Sequence, residues 1–224
     1  MGCSAGSIAA QSWSRELLKT FQHEKAAIVP DSYIGVFPPN SQGALIYNYG
    51  ACSTDLLPPA LQAKCLAQTL TLQEVMTTWL SDSPSIPYSY IQSKVDAVQM
   101  SFYYFLALSV GQNPVLTQSQ FYSRVNNIMD EYNVYDNFVT YLVDGTQHCY
   151  TNFNLYYTAT PTSARDGPRG NTTNLEDWVP LLPLSPGDAI DTVCEGPEAT
   201  LAAARDGTTF CSDQLYPKEF VSPQ

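Results

Sequence analysis

The sequence predicts an α/β protein: a parallel sheet covered by helices. Three observations carry this. Through the middle of the chain, helix-patterned and strand-patterned segments alternate as helix, strand, helix, strand, helix, helix, strand, the order of parallel strands joined by crossover helices. The opening Gly2-Cys3-Ser4-Ala5-Gly6 is a small-residue turn that runs straight into an apolar-striped helix. Of 224 residues, 44% are hydrophobic and 12% aromatic, enough for a real core and against global disorder.

The elements follow in order. Ala9, Trp13, Leu17 and Phe21 recur every four residues, with Leu18 beside them, and predict the first helix. Ala26 to Val29, closed by Pro30-Asp31, predicts a short buried strand. Residues 37–60, with Pro38-Pro39 and Pro58-Pro59 as breakers, predict a loop-rich insertion. Thr71 and Glu74 have capping-box spacing, and Leu72, Val75, Met76, Trp79 and Leu80 line one face of the helix they open. Ile86 to Ile91 predicts a strand, with Pro87 near its start, where a missing N–H is tolerated. Ala97 to Val110 predicts an apolar helix. Gln118 to Tyr132 predicts another, capped by Thr117 and Gln120. Phe138 to Val143 predicts a strand closed by Asp144-Gly145. Beyond about residue 160, Pro, Gly, Asp and Thr dominate. That stretch predicts one short helix over Asn174 to Leu182 and otherwise surface wrapping. No internal repeat is present.

Charge narrows the function classes. Ten positive residues face 21 negative ones, a net −11, which excludes a phosphate-reading surface and argues against nucleic acid or anionic membrane as partner. No run of 18 apolar residues exists to span a bilayer. Cys52/Cys65 and Cys194/Cys211 each bracket a local segment and are disulfide candidates, which fits an oxidising compartment. No CxxC and no Cys/His cluster is visible along the chain, so no metal site is expected. Asn171-Thr172-Thr173 is a glycosylation acceptor pattern, a common one by chance.

Gly2-Cys3-Ser4-Ala5-Gly6 matches G-x-S-x-G, the nucleophile elbow, in which a sharp strand-to-helix turn exposes the serine hydroxyl. The glycines are expected at points where a side chain would clash. The helix N-terminus behind Ser4 favours developing negative charge, with the Ala5 N–H as oxyanion donor. Serine needs a base, and the base needs an orienting acid. His23 ends the first helix and reads as solvent-facing. His148 follows a strand, as does Asp96, and the order Ser4, Asp96, His148 is the order an α/β-hydrolase requires. Each residue also has a plainer reading: a turn serine, a surface histidine, a helix N-cap aspartate. The joint arrangement is much rarer by chance than any one member.

These residues resemble the pectin acetylesterase/Notum family of carboxylesterases. The elbow is similar to that family's, cysteine included. Ile86 to Met100 resembles its strand leading into the acid, with Asp96 and Gln99 in place and Val95 and Val98 where aromatic residues stand. Gly145 to Cys149 resembles its histidine loop, with the His-Cys pair kept. Pro30-Asp31-Ser32 resembles the segment after the elbow helix, and Asp31 reads there as structural. The resemblance covers residues 1–160, the C-terminal portion of an α/β-hydrolase domain; residues 161–224 read as a loop-rich tail wrapping the same domain. It implies a Ser-Asp-His triad that deacylates, and first of all deacetylates, an ester on a cell-wall glycan or a lipidated protein. It implies no cofactor and a secreted or lumenal protein.

In that family the elbow lies mid-chain. The resemblance therefore implies that the N-terminal strands, the loop giving the second oxyanion donor and a signal peptide lie upstream of this chain, which would leave it inactive alone. Cys3 and Cys149 adjoin triad residues and are expected as neighbours, paired or as buried thiols. Two rivals stand beside the esterase: a non-catalytic glycan- or lipid-binding module on the same fold, and a peripheral protein acylated at Gly2 and Cys3. The latter lacks the Ser or Thr that the acylation pattern wants where Gly6 stands.

Overall fold

The structure, a computed structural model, describes residues 1–143, 145–158 and 174–182, and the strand pairs 189–190, 193–194 and 218–219. The expected parallel sheet is present. Strands β1 (Gly2–Cys3), β2 (Pro30–Asp31), β3 (Tyr88–Ser93) and β4 (Phe138–Val143) lie side by side. Val193–Cys194 (β6) joins β4, giving the order β1-β2-β3-β4-β6 with every neighbour parallel. Ala189–Ile190 (β5) and Lys218–Glu219 (β7) form a separate antiparallel pair.

Long stretches of chain separate the parallel strands, as crossovers require. Between β1 and β2 runs α1 (Ala5–Thr20). Between β2 and β3 come α2 (Gln42–Asn48), a 3-10 turn at Ala51–Ser53, α3 (Pro59–Leu66) and α4 (Leu72–Asp82). Between β3 and β4 come α5 (Ala97–Ser109) and α6 (Gln118–Asn133). After β4 follow α7 (Leu155–Thr158), α8 (Leu175–Trp178) and a 3-10 turn at Val179–Leu181.

β3 and β4 are buried along their whole length. Alternate residues of β4 feed opposite cores. Phe138 and Leu142 join Trp79, Met76, Phe121 and Val125 on one face, while Val139, Tyr141 and Val143 meet Leu175 and Trp178 on the other. Both helix capping boxes form as their spacing predicts, Thr71 with Glu74 and Thr117 with Gln120. β3 sits two residues downstream of expectation, and β2 falls on Pro30–Asp31, the residues expected to close the strand, while Ala26 to Val29 contributes only an isolated bridge from Ile28 to Tyr88.

Residues 37–60 depart from the predicted loop. They hold α2 and lead into α3, because Pro59 occupies the first turn of a helix, where its missing N–H costs nothing. Gly43 lets α2 pack there: a Cβ on it would lie 2.0 Å from the Gln68 carbonyl oxygen.

The first helix forms, but with its apolar stripe outward. Ser7, Gln11 and Ser14 are buried, while Trp13, Leu17 and Phe21 stay 47%, 46% and 63% exposed. Hydrogen bonds fix this choice. Ser7 Oγ and Gln11 Nε2 donate to the Tyr33 carbonyl at 3.2 and 2.8 Å, and Ser14 Oγ meets the Tyr88 hydroxyl at 3.2 Å. Helix α5 is similar in kind. It buries Gln99, Tyr103 and Ala107 and exposes Val98, Phe102, Phe105 and Leu108.

Among the described residues, no helix is long and apolar enough to cross a membrane.

Candidate active site

The loops at the carboxyl ends of β1, β2, β3 and β4 meet at one end of the sheet, where open α/β sheets place their ligands. Ser4 follows β1. Its N–H donates to the Asp31 carbonyl at 3.0 Å, and its backbone turns at φ 57° and ψ −118°. A non-glycine residue rarely adopts this conformation, which costs about 1–3 kcal/mol. The hydroxyl makes no capping bond to α1, so it is not spent on the helix it precedes. The sharp turn depends on Gly2, because a Cβ there would lie 2.2 Å from the Gly6 carbonyl oxygen. The expectation that both glycines are sterically required is corrected: a Cβ on Gly6 meets nothing within 4 Å. Ala5 and Gly6 open α1, and as its first two residues their amides have no intrahelical acceptor, whereas the Ser7 and Ile8 amides already donate to the Ser4 carbonyl.

Asp96 follows β3 and is fully buried. Its Oδ1 accepts from the Val98 and Gln99 amides at 3.0 and 2.9 Å, capping α5. Its Oδ2 accepts from Gln99 Nε2 at 2.9 Å and lies 2.8 Å from His148 Nδ1. One carboxylate therefore caps a helix and orients an imidazole. An ionised carboxylate only accepts, so the shared proton sits on Nδ1 and Nε2 is the basic nitrogen. That Nε2 is buried with no hydrogen-bond partner. The ring also lies beside the elbow, with a ligating nitrogen within 4.8 Å of the sulfurs of Cys3 and Cys149. Ser4 Oγ and Nε2 are not hydrogen-bonded to each other here. Such bonds often tighten only when substrate binds.

Cys3 and Cys149 form a disulfide with a Cα separation of 5.6 Å, and Cys52 and Cys65 form the other described bridge, at 5.5 Å. The fold thus gathers Cys3, His148 and Cys149 into one cluster, the neighbourhood expected of the two cysteines. Its two sulfurs are bonded to each other and unavailable to a metal. Cys211 and Asn171 lie outside the described residues, as does the side chain of Cys194. His23 is exposed at the far end of α1, its Nδ1 2.9 Å from the Phe21 carbonyl oxygen.

Sequence reasoning did not single out Tyr33. Its hydroxyl is buried without a partner, and its ring packs edge-on against Phe37 and Phe102 at 5.7 and 5.8 Å. Burial, with the Asp96 charge adding to it, pushes its ionisation far above the usual tyrosine range, so it stays a neutral donor. Nothing in the local sequence marks it, because its placement comes from the chain leaving β2.

Beside Ala5 opens a cavity of about 370 Å³ between α1, α2 and α5. Ile8, Trp13, Ile46, Leu57 and Phe102 help line it, and its walls are overwhelmingly apolar. Its size falls in the range of about 300–1,000 Å³ common for small-ligand sites.

Comparison with protein-family models, curated proteins and solved structures finds no match to this chain.

Proposed function

We propose that this chain carries the catalytic triad of a serine carboxylesterase of the α/β-hydrolase type, similar to the pectin acetylesterase/Notum enzymes. The observation that carries the reading is the His148–Asp96 pair at 2.8 Å, with Nε2 unpartnered, on a ring close to Cys3, the residue before a serine in a strained strand-to-helix turn. These residues are far apart in sequence and follow the carboxyl ends of three parallel strands.

The steps follow from the triad. Ser4 Oγ attacks the ester carbonyl while His148 Nε2 takes its proton. Asp96 holds the ring and stabilises its charged form. The oxyanion accepts from the Ala5 N–H at the start of α1. The alcohol leaves with the proton from Nε2, and water activated by the same nitrogen hydrolyses the acyl-enzyme. No step calls for a metal.

The apolar cavity beside Ala5 supports an acyl group larger than acetyl, carried on a secreted glycan or protein. The two disulfides among the described residues fit an oxidising compartment. The rival acylation at Cys3 finds its sulfur already bonded to Cys149. The binding-module reading rests on one fact, the absence of a Ser4–His148 hydrogen bond.

A series of p-nitrophenyl esters from acetyl to dodecanoyl tests substrate class. Activity should rise with chain length beyond acetyl, and Ala9→Phe, which fills the cavity, should move the optimum back toward short chains. A preference for acetyl in both proteins would refute the cavity assignment.

A further inference from the structure

Asp31 is fully buried at the end of β2, yet every described donor to its carboxylate is a neutral N–H or O–H group. Oδ2 accepts from the Tyr150 amide, the Thr151 amide and the Thr151 hydroxyl, each at 2.8 Å. Oδ1 accepts from the Ser32 hydroxyl at 2.8 Å, and the Ser32 oxygen accepts from the Cys149 amide at 2.9 Å. Three consecutive amides, those directly after His148, are thus tied to one carboxylate and its neighbouring hydroxyl. On the other side of the histidine, Ser93 Oγ donates to the Gln147 carbonyl at 2.6 Å. Asp31 also reaches the nucleophile, because its backbone carbonyl accepts the Ser4 N–H.

We propose that Asp31 is a positioning residue, a second carboxylate that sets where His148 stands relative to Ser4 by gripping the backbone behind the histidine. This rests on the reading of Ser4 and His148 as nucleophile and base. Asp96 orients the ring, while Asp31 fixes the loop from which the ring projects. The Cys3–Cys149 disulfide joins the same two loops, so the elbow and histidine loop are clamped twice, once covalently and once by hydrogen bonds. Ionisation suits the role: a carboxylate offers acceptors on both oxygens, whereas a side-chain amide offers one acceptor and one donor. Asp31→Asn must therefore turn its NH2 either toward the amides of residues 150 and 151, which then face a donor, or toward the Ser32 oxygen, which keeps those amides on a neutral acceptor without the carboxylate's charge; both arrangements weaken the grip.

The test compares the full chain with Asp31→Asn and with Ser32→Ala, which removes the link to Cys149 and the hydroxyl's bond to Asp31 Oδ1 but leaves the amides of residues 150 and 151 bound to Oδ2. Three quantities are read: hydrogen exchange of amides 149–151, the NMR signal of the His148 Nδ1 proton, and the rate of Ser4 labelling by a fluorophosphonate. Val125→Ala, which destabilises a core that holds no clamp residue, serves as control. In Asp31→Asn, amides 150 and 151 should exchange at least about tenfold faster, as losing roughly one net hydrogen bond predicts. The Nδ1 proton signal should shift or vanish. Labelling should slow by about 100-fold, the scale of a misplaced catalytic group. Ser32→Ala should show the same changes in smaller degree, centred on amide 149, and carries the test if Asp31→Asn does not fold. Val125→Ala should leave the Nδ1 proton in place. Unchanged exchange and an unchanged Nδ1 proton in the folded variants would overturn the proposal. A shifted Nδ1 proton in a protein whose Ser4 is never labelled would uphold the positioning and refute the hydrolase reading.

Discussion

At the scale of single residues, the site rests on a few unusual backbone and side-chain states. Ser4 holds a conformation that costs about 1–3 kcal/mol. Gly2 makes room for that turn, and Gly6 supplies the carbonyl oxygen that Gly2 approaches. The two glycines therefore differ in kind. Gly2→Ala should prevent the native turn and abolish Ser4 labelling. Gly6→Ala should leave the fold intact and gain up to about 1 kcal/mol from helix propensity. Thermal denaturation of the two variants separates these outcomes, and equal loss in both would refute the assignment. The order of Ser4, Asp96 and His148 was legible in the sequence because each follows a strand or turn signal. The grip of Asp31 was not. Its partners are backbone amides about 120 residues further on, and backbone donors leave no mark on residue type.

At the scale of elements, local chemistry reads clearly and orientation does not. Helices α4 and α6 begin where their capping boxes predict, because a box is satisfied within four residues. Four-residue spacing predicted that α1 is a helix, but not which face it would bury. The bonds from Ser7, Gln11 and Ser14 to residues well downstream decided that. Helix α3 was missed because Pro58-Pro59 reads as a breaker until one proline is placed in a first turn.

The α4 box also gives a pH prediction. Partial burial alone would raise the Glu74 carboxyl. Hydrogen bonds from the Lys64 ammonium and the Thr71 amide, and the Lys64 charge, outweigh it and hold the carboxyl below its usual value. A depressed acid contributes stability that is complete above its unfolded value and is lost as pH falls through its folded value. Glu74→Gln should therefore flatten the stability profile at and below the ordinary glutamate range, and it also removes a charge that, after burial, helps raise the Glu131 carboxyl. Thr71→Ala should cost about 1 kcal/mol at neutral pH. Urea melts at stepped pH check both, and a profile unchanged by Glu74→Gln would contradict the first.

At the scale of the molecule, two bridges of very different span hold the described residues. Cys52–Cys65 closes a short loop, with a sequence separation of 13, and Cys3–Cys149 a long one, with a separation of 146. Loop-closure entropy assigns about 3 kcal/mol to the first and about 5 kcal/mol to the second. Replacing both cysteines of the long bridge with alanine should lower the denaturant midpoint more than replacing those of the short one. Equal shifts would mean that Cys3 and Cys149 are not paired in solution. The parallel sheet was legible from the alternation of elements. The convergence of its loops was legible only as chain order, since register and the meeting of β1 with β2 depend on contacts that no local pattern encodes.

The central claim is that His148 activates Ser4. The measurement that tests it most directly is labelling by a fluorophosphonate, located by peptide mass spectrometry, on the chain, Ser4→Ala and His148→Ala, with circular dichroism to establish folding. The account predicts one adduct on Ser4, absent from Ser4→Ala and lost in His148→Ala. A folded chain that takes no adduct at Ser4, or takes it equally without His148, would contradict it.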